Sequence, residues 1–144
     1  MESRGTHKFQ PKTVDQIGIL VKDIDKVVES WSQLFGMGPW RFVDADHTAE
    51  LGQLYKLRLA FTNIGSVEIE LIQPVAGETW QAEYLDKVGE GLHHIQFRVD
   101  DMDGEVSNLV AQGAKVFYTI PGRFAYLETG GPGGVVFEIV QKRD

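Results

Sequence analysis

From Val14 the chain reads VDQIGILV, in which Ile17, Ile19 and Val21 alternate with Gln16, Gly18 and Leu20. A period of two predicts a strand with one aliphatic face. The period then lengthens: Ile24, Val27, Val28, Trp31 and Phe35 recur at helical spacing behind Asp23, a favourable N-cap, and the stripe ends at Gly36, a residue suited to the left-handed stop of a helix. Three β-rich segments follow at 40–43, 55–62 and 67–72. A second strand pattern at 92–99 leads to a second helix with Asp101 as its cap, Met102, Val106, Leu109 and Val110 on its apolar side and Gly113 as its stop. Segments 116–120, 124–128 and 135–140 are again β-rich. Between the two series, 79–88 carries Trp80, Tyr84, Leu85 and Val88 at helical spacing and predicts a linker helix ended by Gly89.

The two series are copies of one design. VDQIGILVKDIDKVV from Val14 aligns with LHHIQFRVDDMDGEV from Leu92 at a displacement of 78 residues, and VEIELIQ from Val67 aligns with VVFEIVQ from Val135 at 68. The pieces keep their order, as a duplicated module requires. Each copy reads βαβββ, at about 14–74 and 92–142, so the expectation is a polar N-terminal tail over 1–13 and one α+β domain over 14–144. Its two βαβββ modules would form an open, curved, mostly antiparallel sheet, a cup with the helices on the outside. A small open sheet leaves edges that need covering, which predicts a homodimer.

Four strand positions break the apolar pattern at related places in the two copies: Gln16, Glu70, His94 and Glu138. Glu70 lies between Ile69 and Leu71, and Glu138 between Phe137 and Ile139, so each points away from the aliphatic face. A lone polar side chain on such a face is ordinarily just solvated. An amide oxygen, two carboxylates and an imidazole at duplication-related positions instead make a hard, oxygen-rich donor set. Such a set suits one divalent cation with two water positions left open. Zinc, cobalt, nickel, manganese and magnesium all remain open.

Composition narrows the classes. With 14 basic and 21 acidic residues the net charge is −7, which disfavours nucleic acid and anionic lipid. There is no cysteine, which removes disulfides and thiolate metal sites and fits a reducing compartment. No apolar run approaches the roughly 20 residues of a membrane span, and no signal-peptide core is visible near Met1. The expectation is a cytoplasmic protein.

The duplicated βαβββ pattern with VDQIGILVKDID, VEIELIQP, GLHHIQFRVDDMD and GGVVFEIVQ resembles the vicinal oxygen chelate superfamily, which includes glyoxalase I, methylmalonyl-CoA epimerase, extradiol dioxygenases and bleomycin-resistance proteins. The resemblance spans Val14 to Gln141 and is nearest to the epimerase branch. It places the metal ligands on Gln16, Glu70, His94 and Glu138. It implies a metal-dependent isomerase or epimerase that moves a proton on a carbon next to a carbonyl through a metal-stabilised enolate, with a small α-acidic carbonyl compound as substrate. Gln16 departs from the His usual in epimerases and makes the set similar to that of zinc-type glyoxalase I, an alternative that isomerises a thiohemiacetal. A metal-free binding or resistance protein is a third alternative. The resemblance to glyoxalase I puts the base on Glu138, with Glu70 for the opposite face of an epimerised carbon. His94, Gln96 and Arg98 alternate onto one strand face, which makes Gln96 and Arg98 candidates for substrate contact.

The remaining features are structural in expectation. His93 falls on the opposite strand face, and His47 lies in the loop-like DADHTAELG. The run TGGPGG at 129–134 reads as a turn before the last strand, since it lacks the Gly-Lys-Ser/Thr ending and the helix of a phosphate loop. Trp40, Trp80, Tyr84 and Phe124 are core or pocket-wall aromatics.

Overall fold

The computed structural model describes residues 9–129 and 135–143. Its elements are β1 (Gln16–Leu20), α1 (Ile24–Phe35), β2 (Arg41–Asp46), α2 (Thr48–Leu51), β3 (Lys56–Ile64), β4 (Val67–Ala76), α3 (Trp80–Lys87), β5 (Gly91–Val99), α4 (Met102–Ala111), β6 (Lys115–Ile120), β7 (Phe124–Glu128) and β8 (Val136–Gln141). The fold is α+β and follows the βαβββ order twice. The chain forms two compact units, one of residues 17–93, the other of 9–16 with 94–143.

In the 17–93 unit the strands run in the order β2-β3-β4-β1. One face is closed by α1: Val21, Ile24, Ala60 and Leu71 are buried together, with Val27, Val28, Trp31 and Trp40 packed on them. The other face, which carries Glu70, is itself partly filled. Leu20, Tyr55, Leu57 and Ile72 form a second buried cluster against which Leu51 of α2 and Tyr84 and Leu85 of α3 pack. The sequence pattern does not foresee α2, because four residues are shorter than one hydrophobic repeat. It also shortens β2 and β4, and the stretch read as a loop around His47 is the end of β2 followed by a helical turn.

In the other unit the order is β5-β8-β7-β6. β6 and β7, and β7 and β8, pair antiparallel, whereas β5 and β8 are parallel. That parallel pair is the result of α4 carrying the chain across to the far strand, so that the last strand returns beside the first. Val99, Met102, Ala125, Leu127 and Ile139 make the core, with Val106 and Leu109 of α4 covering it and Phe9 packed from the N-terminal side. The Phe9 ring meets Phe97 edge-on at 5.5 Å. Residues 1–8 of the expected tail and Gly130–Gly134 of the expected turn lie outside the described residues.

The repeated glutamines of VEIELIQ and VVFEIVQ have a local cause. The backbone N–H of Ile24 donates to Gln73 Oε1 at 2.8 Å and that of Met102 to Gln141 Oε1 at 2.9 Å. Asp23 and Asp101 accept from Lys26 N and Gly104 N at 3.2 and 3.1 Å. In each copy an aspartate and a strand-end glutamine thus satisfy two of the orphan donors of the module's helix.

After β4 the chain turns at Gly77, whose φ is +97° and where a Cβ would sit 1.8 Å from the carbonyl oxygen of Leu54. Neither the backbone conformation nor the space accepts a side chain. Gly77→Ala is expected to destabilise the fold by about 2 kcal/mol or more, read as a lowered denaturant midpoint; an unchanged midpoint would contradict this close approach. No helix among the described residues is long and apolar enough to cross a membrane.

Candidate metal centre

Alternation along β5 puts His94, Gln96 and Arg98 on one face, while Phe97 and Val99 join the core on the other. Parallel pairing sets Gln96 in register with Glu138 of β8. Gln16, the first residue of β1, reaches the same place. His94 Nε2 lies 2.7 Å from Gln16 Oε1 and 3.4 Å from Glu138 Oε1. The amide nitrogen of Gln96 donates to Gln16 Oε1 at 3.0 Å and to Glu138 Oε1 at 2.8 Å. All four side chains are buried, His94 completely and the others at 6–7% exposure.

Burial governs their charge. Desolvation pushes His94 down to about 3, so at neutral pH its ring is uncharged and its approach to Glu138 is no ion pair. The short contact with Gln16 is an imidazole N–H donating to an amide oxygen. Desolvation pushes Glu138 up to about 7, opposed by hydrogen bonds from Gln96 and Tyr126 and by the charge of Arg98. A carboxyl group poised near neutrality can both take and return a proton.

Tyr126 is the residue that sequence reasoning missed. It stands in register with Glu138 across β7 and β8, donates its hydroxyl to that carboxylate, and meets the His94 ring edge-on at 5.5 Å. An aromatic residue opposite Ala125 and Leu127 fits an ordinary strand pattern, so only the register with Glu138 distinguishes it. The other module has the same arrangement without the hydroxyl: Phe61 of β3 is in register with Glu70 of β4.

The other predicted residues fall as follows. Glu70 belongs to the 17–93 unit and is half-buried on β4. Arg98 is exposed, and its Nε donates to Gln96 Oε1 at 3.3 Å; its direct neighbour is therefore the amide that holds Glu138. His93 is fully buried, its ring stacked 4.1 Å from that of Trp80. His47 precedes α2 and is edge-on to Tyr55 at 5.9 Å. Trp40 packs on the α1 core and Tyr84 on the second cluster, whereas Phe124 lies beside Tyr126 at 5.6 Å.

The sequence model of the Glyoxalase/Bleomycin resistance protein/Dioxygenase superfamily matches residues 15–126. The chain belongs to this superfamily. A variant methylmalonyl-CoA epimerase of Streptomyces coelicolor, solved with 2-nitronate-propionyl-CoA, is 25% identical over 94% of this chain and 100% of its own, with a TM-score of 0.75. A methylmalonyl-CoA epimerase in complex with methylmalonyl-CoA and NH4+ is 26% identical over 92% of this chain and 96% of its own, with a TM-score of 0.74. An uncharacterised protein of Bacillus subtilis, YwbC, is 29% identical over 91% of this chain and 98% of its own.

Among the described residues no group of three His, Asp or Glu side chains is spaced for a metal; it is the amide oxygen of Gln16 that brings the buried donors of this superfamily member to three. The distances from His94 Nε2 to Gln16 Oε1 and to Glu138 Oε1, 2.7 and 3.4 Å, bracket the edge of an octahedron, about 3 Å for bonds of about 2.1 Å. The donor set therefore fits a hard or borderline divalent cation. Ligation requires the Nε2 lone pair of His94, hence the tautomer with its proton on Nδ1. The N–H donors of Gln96 satisfy the same oxygen lone pairs that a cation would take.

Proposed function

We propose that the protein is a metal-dependent isomerase or epimerase acting on a small α-acidic carbonyl compound. Gln16, His94 and Glu138, together with Glu70, would hold one divalent ion. The observation that carries this reading is that two buried oxygens, Gln16 Oε1 and Glu138 Oε1, lie within 3.4 Å of the buried His94 Nε2, the second of them on a carboxyl group with its proton affinity near neutrality. When bound, the cation supplies Lewis-acid stabilisation where negative charge develops on the substrate oxygen. Glu138 takes the α-proton, and Gln96 and Tyr126 fix the direction of its carboxylate by donating to it. Glu70 is the carboxylate for the opposite face of the carbon. Methylmalonyl-CoA-like thioesters are the nearest substrate analogy, because two similar structures are epimerases with acyl-CoA ligands. Gln16 supports the second reading, isomerisation of a thiohemiacetal as in glyoxalase I. The protein is further proposed to work in the cytoplasm as a homodimer.

The test is metal content. The wild-type chain is expected to retain about one divalent ion per chain through gel filtration, by plasma mass spectrometry. His94→Ala, with unchanged circular dichroism, is expected to weaken binding about 100-fold or more, since it removes a ligand rather than a supporting contact. Full metal content in that variant would overturn the ligand assignment. A metal-free wild-type protein that still bound a carbonyl ligand without exchanging its α-hydrogen would favour the binding-protein alternative.

A further inference from the structure

The face that carries Glu138 continues sideways into rings. Glu138 is in register with Tyr126, and Tyr126 with Tyr118, so these three side chains form one row across β8, β7 and β6. The Tyr126 ring is stacked with Tyr118 (centroids 6.2 Å, planes at 19°) and also with Phe117 (6.1 Å, 29°). Phe124 meets Tyr118 at 5.7 Å and Tyr126 at 5.6 Å. Regular alternation would send residues 117 and 118 to opposite faces. The register shift between Val116 and Tyr118 explains why both rings reach Tyr126: a bulge sets two residues against one and re-aims a side chain.

Two further observations argue that these rings are more than packing. In the other module the equivalent row reads Glu70, Phe61, Arg41, so the duplicated fold needs no ring at the Tyr118 position. Phe117 is 40% exposed on β6, the last strand in that unit's order, and so lies at a rim. Tyr118 and Phe124 are half-buried beside it, so the rings form an aromatic wall next to a few convergent polar groups, which is the make-up of a small-molecule site.

We infer that Phe117, Tyr118 and Phe124 form a ledge that binds a flat, π-conjugated group of the substrate, making the substrate an aryl-substituted carbonyl compound. Its reacting end would lie where Tyr126 touches Glu138 and His94. The inference rests on the proposed proton-transfer site and adds the class of group attached to the reacting carbon. Stacked and edge-to-face contacts with the ledge select for a ring, whereas a short aliphatic chain leaves the rim wet.

The experiment compares phenylpyruvate with 2-oxobutyrate, two 2-oxo acids with acidic α-hydrogens that differ in the ring, on the metal-loaded full chain by calorimetry. Phenylpyruvate is expected to bind about tenfold more tightly or better, with upfield shifts of its ring protons in the NMR spectrum from the ring currents of the ledge. Phe117→Leu and Tyr118→Leu keep apolar bulk but remove a ring, and each is expected to lower that preference about fivefold or more. Equal affinities, no heat with phenylpyruvate, or a preference unchanged in both variants overturns the inference. Deuterium exchange at the α-carbon, followed on the same samples, separates the two claims. A ring preference without exchange supports the ledge and refutes proton transfer; exchange without a ring preference refutes the ledge alone.

Discussion

Glu138→Gln is expected to lower α-proton exchange and epimerisation about 10³-fold, while metal content falls far less. The amide keeps an oxygen that can ligate and nearly the same shape, but it cannot accept a proton from carbon. General bases contribute roughly 10²- to 10⁴-fold, and 10³-fold corresponds to about 4 kcal/mol of barrier. The loss should appear in kcat rather than KM, because the carboxylate acts on the reacting proton rather than on the bound ground state. Glu70→Gln separates the two directions of reaction. If Glu70 serves the opposite face of the carbon, that variant still washes deuterium into the substrate from one face but no longer interconverts the epimers. Exchange at the wild-type rate in Glu138→Gln would transfer the role of base to another group.

How much of this was readable from the chain depends on how local each signal is. The βαβββ order was readable because the change from period two to helical period is repeated with its aspartate caps and glycine stops. Gln16, His94 and Glu138 were readable as a set because a polar residue between aliphatic neighbours on a strand can point to only one face, and the duplication says that the same face is meant each time. What escaped needs non-local knowledge. The partnership of Tyr126 with Glu138 depends on β8 lying between β5 and β7, and no stretch of sequence states that order. The bulge before Tyr118 has no glycine or proline to announce it. Gln73 and Gln141 were visible as repeated letters, but their meaning as helix caps depends on each strand ending beside the start of a helix. Arg98, read as a substrate contact from alternation alone, proves to be exposed and bonded to Gln96, so its influence on Glu138 runs through that amide and through its charge.

The buried pair also sets how the metal-free protein responds to pH, and the two groups act in opposite senses. Glu138 is raised from 4.5 to about 7, so the folded state holds its proton more tightly than the unfolded chain; the stability this lends is complete below about 4.5 and is lost as pH rises through about 7. His94 is lowered from 6.5 to about 3, so its contribution is complete above 6.5 and is lost as pH falls towards 3. Each pKa unit is worth about 1.4 kcal/mol, and between 4.5 and 6.5 the two slopes nearly cancel. Removing one group should expose the other. In the presence of a chelator, the stability of Glu138→Gln relative to wild type is expected to climb by about 3 kcal/mol from pH 4.5 to 7, and that of His94→Gln to fall by about 4 kcal/mol from pH 3 to 6.5. Urea titrations across this range measure both, and parallel curves for the two variants would show that neither residue is buried as the structure has it. A divalent cation needs Glu138 ionised and His94 neutral, a combination reached above about pH 7. Metal binding near neutrality should therefore release a proton from Glu138 and stabilise the fold most where the metal-free protein has lost that contribution.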